Sequence, residues 1–273
     1  MISFLFPSVS FGQLLEPDWK KAVVLVEQKQ IALKGEKAET SFVAVGTGFI
    51  VLFEDMSFLV TNKHIAINER LHLRFNPKPA CKSVCRISID SMSFNTKLPW
   101  GIAVNSDIAI LPIFFAGKMH SYIDSVDTKS IGLSLFRDWS YVNEGDDIYI
   151  LGFPLRMGTG THFTPVIRSG IIALKEKQGE FVIEANVFPG NSGGPVFLRP
   201  NIYDYRAGRL GEGTIAYLIG IVSSYIPYID VAISAQTSRP RITFEENSGL
   251  ATAFSSERII ALMRDYIEKY DTK

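Results

Sequence analysis

The run Pro189-Gly190-Asn191-Ser192-Gly193-Gly194-Pro195 sets a serine between glycines. A hydroxyl flanked in this way has little steric cover, and glycine lets the backbone turn so that two N–H groups aim at one point. Donors fixed beside a nucleophile are what the developing oxyanion of acyl transfer requires. The same run also fits a Gly-rich turn with no chemistry in it. A neutral hydroxyl is a weak nucleophile near pH 7 and needs a base. Val60-Thr61-Asn62-Lys63-His64 ends one apolar run with a histidine, whose imidazole titrates near neutrality. Ser106-Asp107-Ile108-Ala109-Ile110-Leu111 opens another with an aspartate, a residue able to orient that imidazole and stabilise its cation. Taken singly, His64 also reads as a core histidine and Asp107 as a strand-start cap. Base, orienter and nucleophile in one order, each at the edge of a strand-like segment, favour the joint catalytic reading.

The other three histidines compete poorly. His72 lies in an alternating run where a surface position is expected, and His120 sits in a polar connecting segment. His162 follows Gly158-Thr159-Gly160-Thr161, a Gly-rich loop that can approach a cleft. No His-x-x-x-His or paired carboxylate motif points to a metal hydrolase, and no cofactor is expected.

Strands must position these groups. Apolar, β-branched runs at 23–26, 42–53, 58–61, 71–75, 84–89, 108–114, 148–151, 166–174, 181–184 and 217–223 are separated by Gly, Pro, Asn and Asp. That spacing predicts an all-β sandwich or barrel set. One segment has helical periodicity, 255–269, with Ser255 or Ser256 as cap and Ile259, Ile260, Met263 and Ile267 on one face. Residues 201–213 read as a hairpin insertion. Residues 225–247, with Pro227, Pro240 and no clear period, read as a long loop of functional length.

Together these blocks resemble the chymotrypsin-fold serine endopeptidases, in particular the bacterial HtrA/Deg-like branch. Gly46-Thr47-Gly48-Phe49-Ile50-Val51, the His64 and Asp107 runs, Gly152-Phe153-Pro154, the Ser192 run and Gly220-Ile221-Val222-Ser223 carry the resemblance. It implies two six-stranded antiparallel β-barrels and a C-terminal helix. The first barrel (15–120) would hold His64 and Asp107, the second (140–254) Ser192, and the helix would span 255–270. It also implies an oxyanion hole from the Gly190 and Ser192 N–H groups, and a supporting role for Ser223 beside Asp107. Relatives activated by cleavage carry an acid where Asn191 stands, so activity here is expected without pairing to a new N-terminal amine. The resemblance places Asn186, Ser224, Tyr225 and Gly249 around the primary specificity pocket. Asn186 supplies no anion, Tyr225 narrows the mouth and Gly249 leaves the opposite wall bare. Small or medium uncharged P1 side chains are implied. The chain is expected to lack the PDZ domain of HtrA proteins, so control would come from self-assembly or a partner protein. The 225–247 segment, anchored beside the pocket at both ends, is expected to act as a lid.

Composition narrows the rest. Among 273 residues, 28 basic and 28 acidic side chains cancel, which leaves no electrostatic footprint for nucleic acid or an anionic membrane. No apolar run approaches the roughly 20 residues of a membrane span. Cys81 and Cys85 are too few for a disulfide framework, and reduced, partly buried thiols favour a cytoplasmic location. The expected partner is a protein or peptide substrate. Two other functions stay open: a silent protease fold that grips a peptide as an added strand, and a triad esterase. The Ser192 run lacks the Gly-x-Ser-x-Gly strand-to-helix context of such esterases, and their Ser, Asp/Glu, His order is reversed here.

Overall fold

The structure is a computed structural model that describes residues 17–34, 37–78, 84–92, 99–113, 126–160, 163–200, 203–204, 209–210 and 215–270. Cys81, His120 and His162 lie outside the described residues.

Eight strands form the first sheet: β1 (Val23–Lys34), β2 (Lys37–Phe53), β3 (Met56–Thr61), β4 (Leu71–Phe75), β5 (Cys85–Ser88), β6 (Gly101–Ile102), β7 (Ala109–Pro112) and β8 (Ile131–Gly132). Their order is β5-β4-β1-β2-β3-β7-β6, with β8 joined in parallel to β2. Eight more strands follow: β9 (Asp147–Gly152), β10 (Val166–Lys175), β11 (Glu180–Glu184), β12 (Pro195–Leu198), β13 (Tyr203–Asp204), β14 (Arg209–Leu210), β15 (Tyr217–Ile233) and β16 (Pro240–Ser255). Six of them close a barrel in the order β10-β11-β16-β15-β12-β9. The expected pair of closed barrels is therefore half realised. The first sheet ends on β5 and β6, which do not pair among the described residues, and the two-residue β6 offers too little backbone to carry a closing ladder. β13 and β14 pair antiparallel, as the hairpin reading of 201–213 expects.

Period-2 alternation explains why so many strands are apolar on both faces. Val23, Phe49, Val60, Ile110, Leu151, Leu218 and Ile221 face a central core that lies between the two sheets. Their strand neighbours Val24, Ile50, Leu59 and Leu111 face the interior of the first sheet. Ile150, Ile219 and Val222 face the interior of the closed barrel. The ring stack of Trp19 on Phe197, 4.6 Å between centroids, joins the turn Pro17–Ala22 to β12.

The terminal helix, here α3, runs Ser256–Tyr270 and buries Ile259, Met263 and Tyr266 in the central core. Tyr266 Oη donates to the Pro99 carbonyl at 2.9 Å, and burial pushes its phenol up to about 12. Two single-turn helices, α1 (Lys63–Ala66) and α2 (Ile89–Met92), escape a period-based reading because one turn shows no period. Residues 225–247 are a correction to the sequence reading. β15 and β16 run on as an antiparallel ribbon out to Ile233 and Pro240, where a loop was expected. Pro227 sits at a register shift and Pro240 at a strand start, two places where a missing N–H is tolerated.

Candidate active site

β3 and β7 pair antiparallel, with Thr61 opposite Ala109. The end of one strand thus meets the start of the other, and His64 and Asp107 are brought together from 43 positions apart. After Thr61 the chain turns into α1. The Asn62 carbonyl accepts from the Ile65 and Ala66 amides, and the Asn68 side chain donates to the Ile65 carbonyl at 2.9 Å. Buried Ile65 pins this turn against Gly46, where a Cβ would lie 2.2 Å from Ile65 Cδ1. A larger residue at 46 would have to displace the Ile65 side chain.

The His64 Nδ1–H donates to Asp107 Oδ2 at 2.7 Å, and the His64 amide donates to Oδ1 at 3.1 Å. Ser223 Oγ adds a bond to Oδ2 at 2.8 Å, and Asn62 Nδ2 holds the Asp107 backbone carbonyl at 2.7 Å. Burial pushes the Asp107 carboxyl up. Hydrogen bonds from the His64 ring, Ser223 and the His64 amide outweigh burial and hold it below the usual carboxylate range. The imidazole side chain is 49% exposed, and Nε2 has no hydrogen-bond partner among the described residues.

Ser192 is half-buried in the loop before β12. Thr47, fully buried, ties this loop to the first sheet. Its amide donates to the Ser192 carbonyl at 2.8 Å, and its hydroxyl donates to the Gly190 carbonyl at 2.6 Å. The same hydroxyl accepts from the Phe153 amide at 3.2 Å, while Thr61 Oγ1 holds the Thr47 carbonyl at 2.8 Å. Gly193 donates to the Val222 carbonyl, and Val222 donates to the Gly194 carbonyl, both at 2.9 Å. Gly190 (φ +102°) and Gly193 (φ +81°) hold the left-handed backbone that shapes the loop. Added Cβ atoms there would lie 2.3 Å from the Phe153 carbonyl oxygen and 2.0 Å from that of Thr47. Asn191 is fully buried, and its Oδ1 accepts from the Phe188 amide at 3.2 Å.

Among the described residues, neither the Gly190 nor the Ser192 N–H has an acceptor. Ser192 Oγ also has no hydrogen-bond partner there, His64 included. His72 bonds the Arg70 carbonyl and meets the Phe42 ring edge, with no acid on its ring.

The family model described as the trypsin-like peptidase domain matches residues 46–201, more than half of the chain and including His64, Asp107 and Ser192. The chain belongs to the trypsin-like peptidase family. Solved structures agree at the level of fold. The HtrA-type protease AlgW with a decapeptide superposes at a TM-score of 0.54 and 16% identity, over 92% of this chain and 66% of that one. The serine endoprotease from Yersinia pestis gives 0.52 and 16%, over 92% and 64%. This trypsin-like peptidase thus spans just under two thirds of the length of those proteases. No curated protein sequence matches it.

Around the expected pocket of this trypsin-like peptidase, Asn186 and Ser224 are exposed, and Ser224 Oγ stands 3.5 Å from Thr252 Oγ1. Tyr225 packs partly buried against the barrel core, and its hydroxyl donates to Glu245. Gly249 has φ +82°, and an added Cβ would meet nothing within 4 Å. Two residues had no role assigned from the sequence. Thr47 lay between glycines and read as part of a strand. Arg168 donates from Nη1 to the Asn186 carbonyl, and its guanidinium lies 5.0 Å from the Phe188 ring centroid. An arginine in a strand pattern gives no signal of that contact.

Proposed function

We propose that this chain is a serine endopeptidase in which Ser192, His64 and Asp107 act as one unit. Ser192 Oγ attacks the scissile carbonyl carbon while His64 Nε2 takes its proton. Asp107 holds the imidazole in the tautomer with a proton on Nδ1 and stabilises the imidazolium. The Gly190 and Ser192 amides stabilise the tetrahedral oxyanion. Collapse expels the amine, which takes the proton from His64 and leaves an acyl-Ser192 ester. Water, deprotonated by His64, then hydrolyses that ester. The observation that carries the reading is the Asp107 carboxylate, bonded at once by the His64 ring, the His64 amide and Ser223. The two N–H groups without acceptors support the oxyanion role. Asn186, Ser224, Tyr225 and Gly249 bound a pocket for small or medium uncharged P1 side chains. AlgW was solved with a decapeptide, which supports an extended peptide as substrate.

One observation favours a second reading, a peptide-gripping module without turnover: Ser192 Oγ is not bonded to His64. In the catalytic reading that bond tightens when substrate is bound. An unfolded protein incubated with the chain separates the two. New peptide termini that depend on Ser192 support the peptidase, and identical fragment patterns with Ser192→Ala contradict it.

A further inference from the structure

β15 has the sequence of a central strand and the position of an edge strand. From Tyr225 to Ile233 it reads Tyr-Ile-Pro-Tyr-Ile-Asp-Val-Ala-Ile, apolar on both faces, the pattern of strands covered on both sides. Yet Ile226, Tyr228, Ile229, Val231 and Ile233 are 36–64% exposed. β12 occupies one edge of β15 only as far as Ile221. Beyond Val222, β16 is the sole strand paired to β15 among the described residues. A two-stranded ribbon is marginal in water, and a bare apolar edge invites another strand. The outer edge of β16 is defended by Arg241, Glu245 and Glu246, whereas the β15 edge carries only Asp230 and Pro227 against strand addition.

The open edge is the one that faces the nucleophile. Val222 bonds Gly193 and Gly194 on either side of its own peptide, and β12 leaves that edge at Pro195. β15 runs from there outward to the ribbon tip. A polypeptide paired antiparallel to it enters at the tip and runs inward, with its C-terminal end arriving at Ser192. The ribbon base is tied to the segment after β11 by Asn247 Nδ2 on the Val187 carbonyl, and Ser248 Oγ on the Ile226 carbonyl joins its two strands. Pro227 removes one donor, so the edge from Tyr228 to Ile233 forms a separate stretch, about 20 Å long.

We propose that this ribbon is a substrate-binding arm: it takes an extended, apolar, β-prone segment upstream of the scissile bond as an added strand on β15. The segment covers roughly the fifth to tenth residues before the bond. Backbone pairing supplies reach, and the apolar rows of β15 select Val, Ile, Thr or aromatic side chains over Gly and charged ones. The inference rests on Ser192 being the point of attack, and it names the class of substrate for that site. It also replaces the lid expected for 225–247.

The test reads binding, so it does not depend on turnover. Fluorescent peptides are titrated by anisotropy against full-length Ser192→Ala chain: a tetrapeptide, and the same tetrapeptide extended at its N-terminus by eight Val/Thr or eight Gly/Ser residues. The Val/Thr peptide is expected to bind at least about tenfold tighter than the other two. That gain is expected to vanish in the triple variant Ile229→Lys, Val231→Lys, Ile233→Lys, whose sites are exposed, and in a deletion of 229–239. Equal affinities, or a gain that survives both variants, would overturn the proposal. So would a dimer in solution that the triple variant converts to monomer, since a second copy would then occupy the edge. Failure of the peptidase reading is seen separately, as length-dependent binding without cleavage by the wild-type chain.

Discussion

Ser223 Oγ donates a 2.8 Å hydrogen bond to Asp107 Oδ2, joining the closed barrel to the first sheet across 116 positions of sequence. The same oxygen accepts from His64 Nδ1 at 2.7 Å, so one carboxylate oxygen is shared between the barrel and the imidazole. Ser223 thus acts through Asp107, and its loss frees the carboxylate to rotate. Ser223→Ala is expected to lower kcat/KM about tenfold while KM stays nearly constant, as for a bond to a charged group felt mainly in the transition state. Steady-state kinetics on one peptide substrate measure this. A change confined to KM would assign Ser223 to substrate binding instead.

The protonation of Asp107 gives a second prediction. Its ordinary value is 3.8; burial raises it, and the His64 and Ser223 bonds more than reverse that. A carboxyl whose folded pKa is depressed contributes stability above its unfolded pKa, and that contribution is lost as pH falls through the folded value. Asp107→Asn is therefore expected to lower Tm by a few degrees near neutrality, with the gap to wild type closing below about pH 4. Thermal melts across that range check the sign. A gap that widens on acidification would show that the carboxylate is not held in its charged form.

How legible was this site in the sequence? His64, Asp107 and Ser192 stood out because each ends or begins an apolar run, and antiparallel pairing of β3 with β7 converts those run ends into neighbours. Thr47 did not stand out, because its four hydrogen bonds are made by a small residue inside a strand, with partners as distant as Gly190, 143 positions away, and Ser192 beyond it. The strands were legible wherever burial on alternating faces fixed a period. The ribbon was not, because its long antiparallel ladder is built from a β15 run with no polar face and a β16 run broken by Pro240 and charges. That the first sheet stays open among the described residues was equally hidden, since it turns on β5 and β6, four and two residues long.

Arg168 sharpens the expectation for specificity. In the proposed pocket Asn186 brings no anion, and the Arg168 guanidinium, bonded to the Asn186 carbonyl, would set a positive charge beside it. Burying a cationic P1 side chain without a partner costs several kcal/mol, enough to suppress it about a hundredfold or more. Peptide libraries are expected to be cleaved after Ala, Val, Ser or Thr, and Arg168→Gln to raise the relative rate after Lys several-fold. Dominant cleavage after Arg or Lys by the wild-type chain would contradict the assigned pocket.

The central claim, that Ser192 is a nucleophile activated by His64 and Asp107, is tested most directly by labelling with a fluorophosphonate and mapping the adduct by mass spectrometry. The account predicts one adduct on Ser192. It should be absent in Ser192→Ala and slowed by several orders of magnitude in His64→Ala, with losses that do not add when both are changed. No adduct on folded wild-type chain, or a labelling rate indifferent to His64, would contradict it.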